Sequence, residues 1–347
     1  MTVTVSATPC PAAVSSMPPA TAAGALPLSV SATPNVQRVL QALHAHRTPG
    51  WMYAGHYLGL ACTHTEGDKI HMDMEVGPHC LGTDGRVSMT ALSILTDVGQ
   101  AVAVRSRFGR TVRIATLSMR LSWGCLPSSG RVTAVAQLLL HPEGGAIHTG
   151  MTSVQVFTTD GTLCCTGEAS FAVLDNRRGT AEHPLAQRST LEGVLPLAVQ
   201  SLDAREQVVW HAACAAAQPE AARLGFEAAF YGIAPEADPA KLGHAQCRVH
   251  RALHLGNRVG HIQGGVLLGT ACDTVKAAMG PGWQLRDISA QFVEAASEDY
   301  VDAQAQPLRL GRNASFVECQ LRSPEGRTVL CAQANFVREA QAGDSPA

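Results

Sequence analysis

The chain has 347 residues, 46% of them apolar and 16% charged, with a formal net charge of −2. That length exceeds one small domain, and the apolar share can fill the cores of two. The near-neutral charge removes the electrostatic case for nucleic acid or an anionic membrane as partner, and no apolar run has the length to cross a bilayer.

The eleven cysteines include no C-x-x-C pair, and their odd count and irregular spacing read as free buried thiols of a reducing compartment. None of the fourteen histidines falls in a ligand spacing, so no metal is expected. The low charged fraction leaves surface that association would bury, so a homo-oligomer is expected.

Residues 1–33 are rich in Ala, Pro, Ser, Thr and Val and read as a disordered tail. This stretch has neither the basic start nor the compact apolar core of a secretory signal, and no Arg precedes Arg38, so a cytoplasmic location is expected.

In chain order, residues 35–47 carry Val36, Leu40 and Leu43 at helical spacing, with Asn35 as candidate cap. Strand patterns follow at Tyr53–His64 and Lys69–Val76, joined by the turn Glu66-Gly67-Asp68. The turn Gly82–Gly85 leads into a helix over Ser88–Arg105. Strand patterns then cover Thr111–Trp123, Arg131–His141, Ile147–Thr158 and Thr162–Leu174, the last after an Asp160-Gly161 turn. Residues 177–200 read as a linker.

The order then begins again. A helix over Leu202–Ala217 precedes strand patterns at Gly225–Ile233 and His244–Leu255. Next comes a glycine turn, Asn257-Arg-Val-Gly260-His-Ile-Gln263-Gly264-Gly265, and a helix to Met279. Strand patterns at Gln284–Glu294, Tyr300–Leu310, Ser315–Ser323 and Thr328–Arg338 close the chain. An offset of 175 residues places Ser88 on Gln263 and Gly85 on Gly260, so the chain is an internal repeat. The expected units are residues 34–176 and 201–340, with a short tail over 341–347. Consecutive antiparallel strands with one long helix per unit make the class α+β.

This element order, with Asn257-x-x-Gly260-x-x-Gln263-Gly264-Gly265, resembles the hotdog fold and, within it, the phenylacetate-degradation (PaaI-like) acyl-CoA thioesterases. The resemblance covers about residues 35–175 and 200–339. It implies two fused hotdog domains, each an antiparallel sheet wrapped around one long helix, paired as a pseudo-dimer. That family reads Asn-x-x-Gly-x-x-His-Gly-Gly at the turn, so Gln263 stands where it has His. The resemblance implies Gly264 as oxyanion donor, Asn257 and Gln263 as orienting amides, and Gly265 as a substrate contact. Backbone N–H groups at a helix start are unpaired and lie at its positive end, which suits a polarised carbonyl.

The family's acidic residue lies nine positions beyond its His. In the first repeat that position is Asp97; in the second it is Cys272, with Asp273 one residue late and Lys276 as its candidate partner. Thr90, Ser93, Asp97 and Gln100 form a polar stripe on an otherwise apolar helix, which makes Ser93 and Gln100 candidate substrate contacts and Asp97 a general base or nucleophile. The first repeat has lost the Asn and the Gly-Gly but kept the acid, while the second has done the reverse. One composite site is therefore expected, with its pseudo-symmetric counterpart degenerate. Arg309 and Arg312 resemble the family's basic strand-end segment and are candidate contacts for coenzyme A, which is part of the substrate; no other cofactor is expected. Hotdog folds also host enoyl-CoA hydratases and dehydratases, and a non-catalytic acyl-CoA binder is the third alternative.

Overall fold

The computed structural model describes residues 33–48, 50–142, 145, 147–174 and 188–339. The expected N-terminal tail except its last residue, positions 177–187 of the expected linker, and the tail over 341–347 lie outside the described residues.

The first half contains α1 (Pro34–His46), α2 (Tyr53–Leu58), β1 (Ala61–Glu66), β2 (Lys69–Val76), α3 (Met89–Phe108), β3 (Arg113–Trp123), β4 (Gly130–Leu140), β5 (His148–Thr158) and β6 (Leu163–Leu174). The second contains α4 (Ala204–Ala216), α5 (Phe226–Tyr231), β7 (Glu236–Ala237), β8 (Ala245–His250), α6 (Gly264–Met279), β9 (Trp283–Phe292), β10 (Tyr300–Leu310), β11 (Ala314–Arg322) and β12 (Thr328–Arg338).

Alternation sets the faces of the strands. In β2, Ile70, Met72, Met74 and Val76 turn inward while the residues between them do not. The two long helices are buried nearly all round because sheet covers one side of each and the other helix covers the opposite side. Their amphipathic signal is correspondingly weak, as expected of core helices.

The twelve strands form one antiparallel sheet in the order β1-β2-β4-β5-β6-β3-β9-β12-β11-β10-β8-β7. Reading outward from the middle, each half follows the same sequence of equivalent strands. The seam is β3 on β9, with Ser118 opposite Gln291 and Ser122 opposite Asp287. Across it Arg120 pairs with Asp287 at 3.3 Å. Helix α3 packs on β2, β4 and β5, and α6 packs on β8, β10 and β11. This is the α+β architecture expected, with a large antiparallel sheet over two long helices.

Two of the expected strands are in part helix. Tyr53–Leu58 and Phe226–Tyr231 are single short helices, each stopped by a left-handed glycine, Gly59 at φ 67° and Gly232 at φ 69°. The stretch His244–Leu255 holds a six-residue strand and then a short 3-10 turn at Leu253–Leu255. Asn35 is not a cap: Thr33 holds that position, with Pro34 in the first turn. Residues 188–200, expected as linker, lie along α1, whose Gln41 Nε2 donates to the Val194 carbonyl at 3.1 Å. The halves are also tied by Arg47, the C-cap of α1, which donates to both oxygens of Glu206 in the capping box of α4.

Candidate active site

Helix α3 begins after its N-cap Ser88 and carries Asp97 at its middle, where the chain of the second half turns into α6. The two helices cross in backbone contact. A Cβ on Gly265 would lie 2.6 Å from the backbone N and Cα of Ile94, and one on Gly269 would lie 2.8 Å from the Thr90 Cα. Glycine at these positions therefore sets how deeply the start of α6 can approach Asp97.

That approach is close. A Cβ on Gly264 would sit 3.1 Å from Asp97 Oδ2, 3.4 Å from Thr116 Oγ1 and 3.5 Å from Phe292 Cε1. Gln263 is the N-cap of α6 and uses both ends of its amide. Its Oε1 accepts from the Val266 N–H at 2.9 Å, and its Nε2 donates to Asp97 Oδ2 at 2.5 Å. Thr116 Oγ1 donates to Asp97 Oδ1 at 2.9 Å. Both carboxylate oxygens are thus oriented, one from β3 and one from α6.

Thr116 reaches Asp97 because β3 breaks register between Thr116 and Ser118. Beyond the break the odd-numbered Met119, Leu121 and Trp123 are buried; before it Leu117 is exposed and Thr116 points inward. A bulge inserts one residue and so re-aims the side chains on one side of it.

Asp97 is only 6% exposed. Burial raises its pKa from 3.8 to about 6, against the Thr116 hydroxyl, the Gly265 N–H and the charge of Arg105, all of which favour the ionised form. A cavity of about 370 Å³ opens in front of it. Phe171, Ile114, Ile262 and Phe292 supply apolar wall, and Asp97, Gly264, Asn257 and Gln263 supply polar wall.

The cavity thus brings together the four residues expected to be catalytic. Asn257 is committed more than anticipated: its Oδ1 accepts from the Val259 and His261 N–H groups at 3.0 and 3.1 Å, which fixes the turn. Gly265 is packed on Ile94 and is not part of the cavity wall. Ser93 is fully buried at the helix crossing. Gln100 accepts from Thr152 Oγ1 at 2.9 Å, facing β5 rather than the cavity. The polar stripe of α3 is therefore divided among several neighbours, because the helix is enclosed and each polar group must find its own partner. Arg309 and Arg312 are exposed on and just beyond β10, separated from β9 by β11 and β12, and do not line the cavity. Arg105, Arg113 and Arg258 line it instead. Arg105 could have been found by counting eight residues from Asp97 along one helix face. Thr116 carried no such signal.

At the start of α3 the arrangement is mirrored with different groups. Ser88 caps α3 by accepting from the Ala91 N–H at 2.9 Å and donates to a buried carboxylate, Glu227 of α5. A Cβ on Gly225 would lie 3.2 Å from the Leu81 carbonyl, so α5 packs straight onto the first turn. Burial raises Glu227 from 4.5 to about 8; the Ser88 hydroxyl opposes the shift and the charge of Asp273 adds to it. Asp273 accepts from Thr90 Oγ1 at 3.4 Å as well as feeling Lys276. Sequence reasoning missed Glu227, which sits in a stretch read as strand.

Residues 254–338 match the family model described as the acyl-CoA thioesterase N-terminal domain. A search of curated proteins returns no match. Among solved structures, a protein assigned as an oleoyl thioesterase of Lactobacillus plantarum aligns with a TM-score of 0.50 at 9% identity, over 79% of this chain and 97% of that one. The 12:0-ACP thioesterase of Umbellularia californica aligns with a TM-score of 0.50 at 8% identity, over 79% and 95%. At such identities the likeness is one of fold. The chain is thus similar to thioesterases of the hotdog fold through most of its length, and to the acyl-CoA thioesterase domain in the segment that carries the glycine turn.

Proposed function

We propose that this protein hydrolyses acyl-CoA thioesters at one composite site between two fused hotdog repeats, residues 34–176 and 201–340, paired as a pseudo-dimer. The observation that supports it most is the placement of Asp97, from the first repeat, against the N-terminus of α6 in the second. An acid whose pKa lies near 6 is poised to act as a base near neutrality.

In the proposed reaction Asp97 takes a proton from water as the water oxygen attacks the thioester carbonyl carbon. The carbonyl electron pair moves to oxygen, and the resulting oxyanion accepts from the Gly264 N–H at the positive end of α6. The pair returns, the C–S bond breaks, and the thiolate leaves with the proton from Asp97. The products are a carboxylic acid and coenzyme A. Gln263 holds Asp97 in place and caps the helix, and Asn257 shapes the turn. The turn resembles that of the PaaI-like type, with Gln in place of His. We assign the protein to the cytoplasm and allow further association of the pseudo-dimer. Among the described residues no helix is long and apolar enough to cross a membrane.

The test is thiol release from a panel of acyl-CoAs by the wild type and Asp97→Asn. The substitution should lower kcat by about two to four orders of magnitude, the usual worth of a positioned base. Undiminished turnover by the variant would sink the mechanism. In a single turnover in ¹⁸O-water, label in Asp97 would identify it as the nucleophile, since a general base takes up none. His261 also lines the cavity, which favours enoyl-CoA hydration as the second reading; loss of the enoyl chromophore without thiol release would establish it.

A further inference from the structure

Of the described residues that line the cavity, five are exposed: Leu117, Val259, Val293, Glu294 and Ala295. They mark its open side. Arg105, Arg113 and Arg258 line it too, but each is less exposed than those five. Glu294 is the one charged member of the five, and Arg327 meets it at 3.3 Å while also pairing with Glu298 and Glu325. The three large apolar members are Leu117 at 37%, Val259 at 38% and Val293 at 57% exposure. Exposed apolar side chains scattered singly need no explanation. These three come from three different segments and from both halves, and they share one opening.

Each of the three stands on backbone that is fixed locally. Leu117 is the residue at which β3 breaks register, so the bulge that aims Thr116 at Asp97 also turns Leu117 out to the opening. The Val259 N–H donates to Asn257 Oδ1 at 3.0 Å, and the Val293 N–H donates to the Val329 carbonyl at 2.9 Å. Leu117 and Val293 directly follow Thr116 and Phe292 in the chain. Thr116 Oγ1 and Phe292 Cε1 lie 3.4 and 3.5 Å from the point a Cβ on Gly264 would occupy. The apolar rim thus begins one residue outward from the groups around Gly264, and a chain leaving that point for solvent crosses it.

We propose that Leu117, Val259 and Val293 form an apolar collar for the alkyl segments of the pantetheine arm, so that the enzyme reads the arm of its thiol and not the nucleotide at the arm's end. This rests on the hydrolase reading above. A cavity of about 370 Å³ is at the lower end for one drug-sized ligand. Coenzyme A exceeds such a ligand, so with its thioester at Gly264 the nucleotide lies outside and the arm passes through the open side. The arm alternates methylene pairs and a gem-dimethyl carbon with two amides. Its methylene and methyl groups gain by leaving water against the collar, while its amides stay wet at the edge. Val259 and Val293 are β-branched and have little rotamer freedom to lose on contact. Among the described residues no exposed member of the lining is cationic, so this edge offers the phosphates no partner.

The test measures kcat/KM for one acyl group carried on coenzyme A, on pantetheine and on N-acetylcysteamine, which ends the arm after its first amide. Pantetheine should match coenzyme A, and N-acetylcysteamine should fall about ten- to a hundredfold below both, the scale of burying one apolar side chain. Val293→Thr keeps the shape and removes the apolarity. It and Leu117→Asn should each lower the ratio of pantetheine to N-acetylcysteamine severalfold, through KM at constant kcat, because the contact is the same in the ground and transition states. Thermal melting reports that each variant is folded. A preference for coenzyme A over pantetheine of about tenfold or more gives recognition to the nucleotide and overturns the collar. So does a ratio untouched by both substitutions, or a loss that grows with acyl length and not with arm length. A variant that loses self-association by sedimentation with its ratio intact assigns the rim to a second copy and overturns it too. If no thioester is hydrolysed, the hydrolase reading fails. Calorimetric binding of S-methyl pantetheine against S-methyl N-acetylcysteamine, in wild type and Val293→Thr, then decides the collar by the same ratio.

Discussion

Gln263 uses both ends of one amide at once. Its oxygen closes the first turn of α6 and its nitrogen holds Asp97. A donor to an ionised carboxylate favours the ionised form. Activity that depends on ionised Asp97 should rise with pH through about 6. Gln263→Leu removes the donor, so the acid limb of the pH–rate profile should move to higher pH. The lost cap should also cost about 1 kcal/mol of stability, measurable by chemical denaturation. An unshifted limb would mean that Gln263 does not act on Asp97. These residues were legible in the sequence through its resemblance to the PaaI-like turn and to the acid nine positions beyond it. Thr116 was not, since a bulge reverses which strand residues face inward and leaves no mark in simple alternation.

At the scale of elements, the starts of the two long helices are built alike. Each N-cap accepts from the N–H three residues on and donates to a buried carboxylate of the other half: Gln263 to Asp97, and Ser88 to Glu227. Burial of Glu227, which the Ser88 hydroxyl only partly offsets, brings a pH-dependent cost. Glu227 ionises near 4.5 when unfolded and near 8 when folded, so folding takes up a proton between those values. Its contribution is intact below about 4.5 and is lost as pH rises towards 8. Glu227→Gln mimics the protonated acid. The variant should match the wild type near pH 5 and exceed it progressively to pH 8, by on the order of a few kcal/mol, with the difference level above that. Parallel thermal melts across that range check it, and a constant difference would contradict the assignment. The strands were readable from alternation, and the long helices from the glycine turns that lead into them. The short helices at Tyr53 and Phe226 were not, because a single turn packed into the core has no period to detect, and only the glycines that stop them hinted at helix.

At the scale of the molecule, the repeat was legible because the order of elements recurs, at an offset of 175 residues between the long helices and 165 between the last strands. The seam was not. Strand β3 against β9 is a pairing between residues far apart in sequence, and an edge strand looks the same whether its neighbour is water or another strand. That the seam joins two parts of one chain has a kinetic consequence. Where such halves are separate chains, the fraction assembled follows mass action and falls on dilution. Covalent connection replaces that bimolecular step with an internal one at a fixed effective concentration. Turnover per chain should therefore stay constant as the enzyme is diluted from micromolar to picomolar, with one equivalent of bound ligand per chain at saturation. A falling specific activity would show that a second chain completes the site.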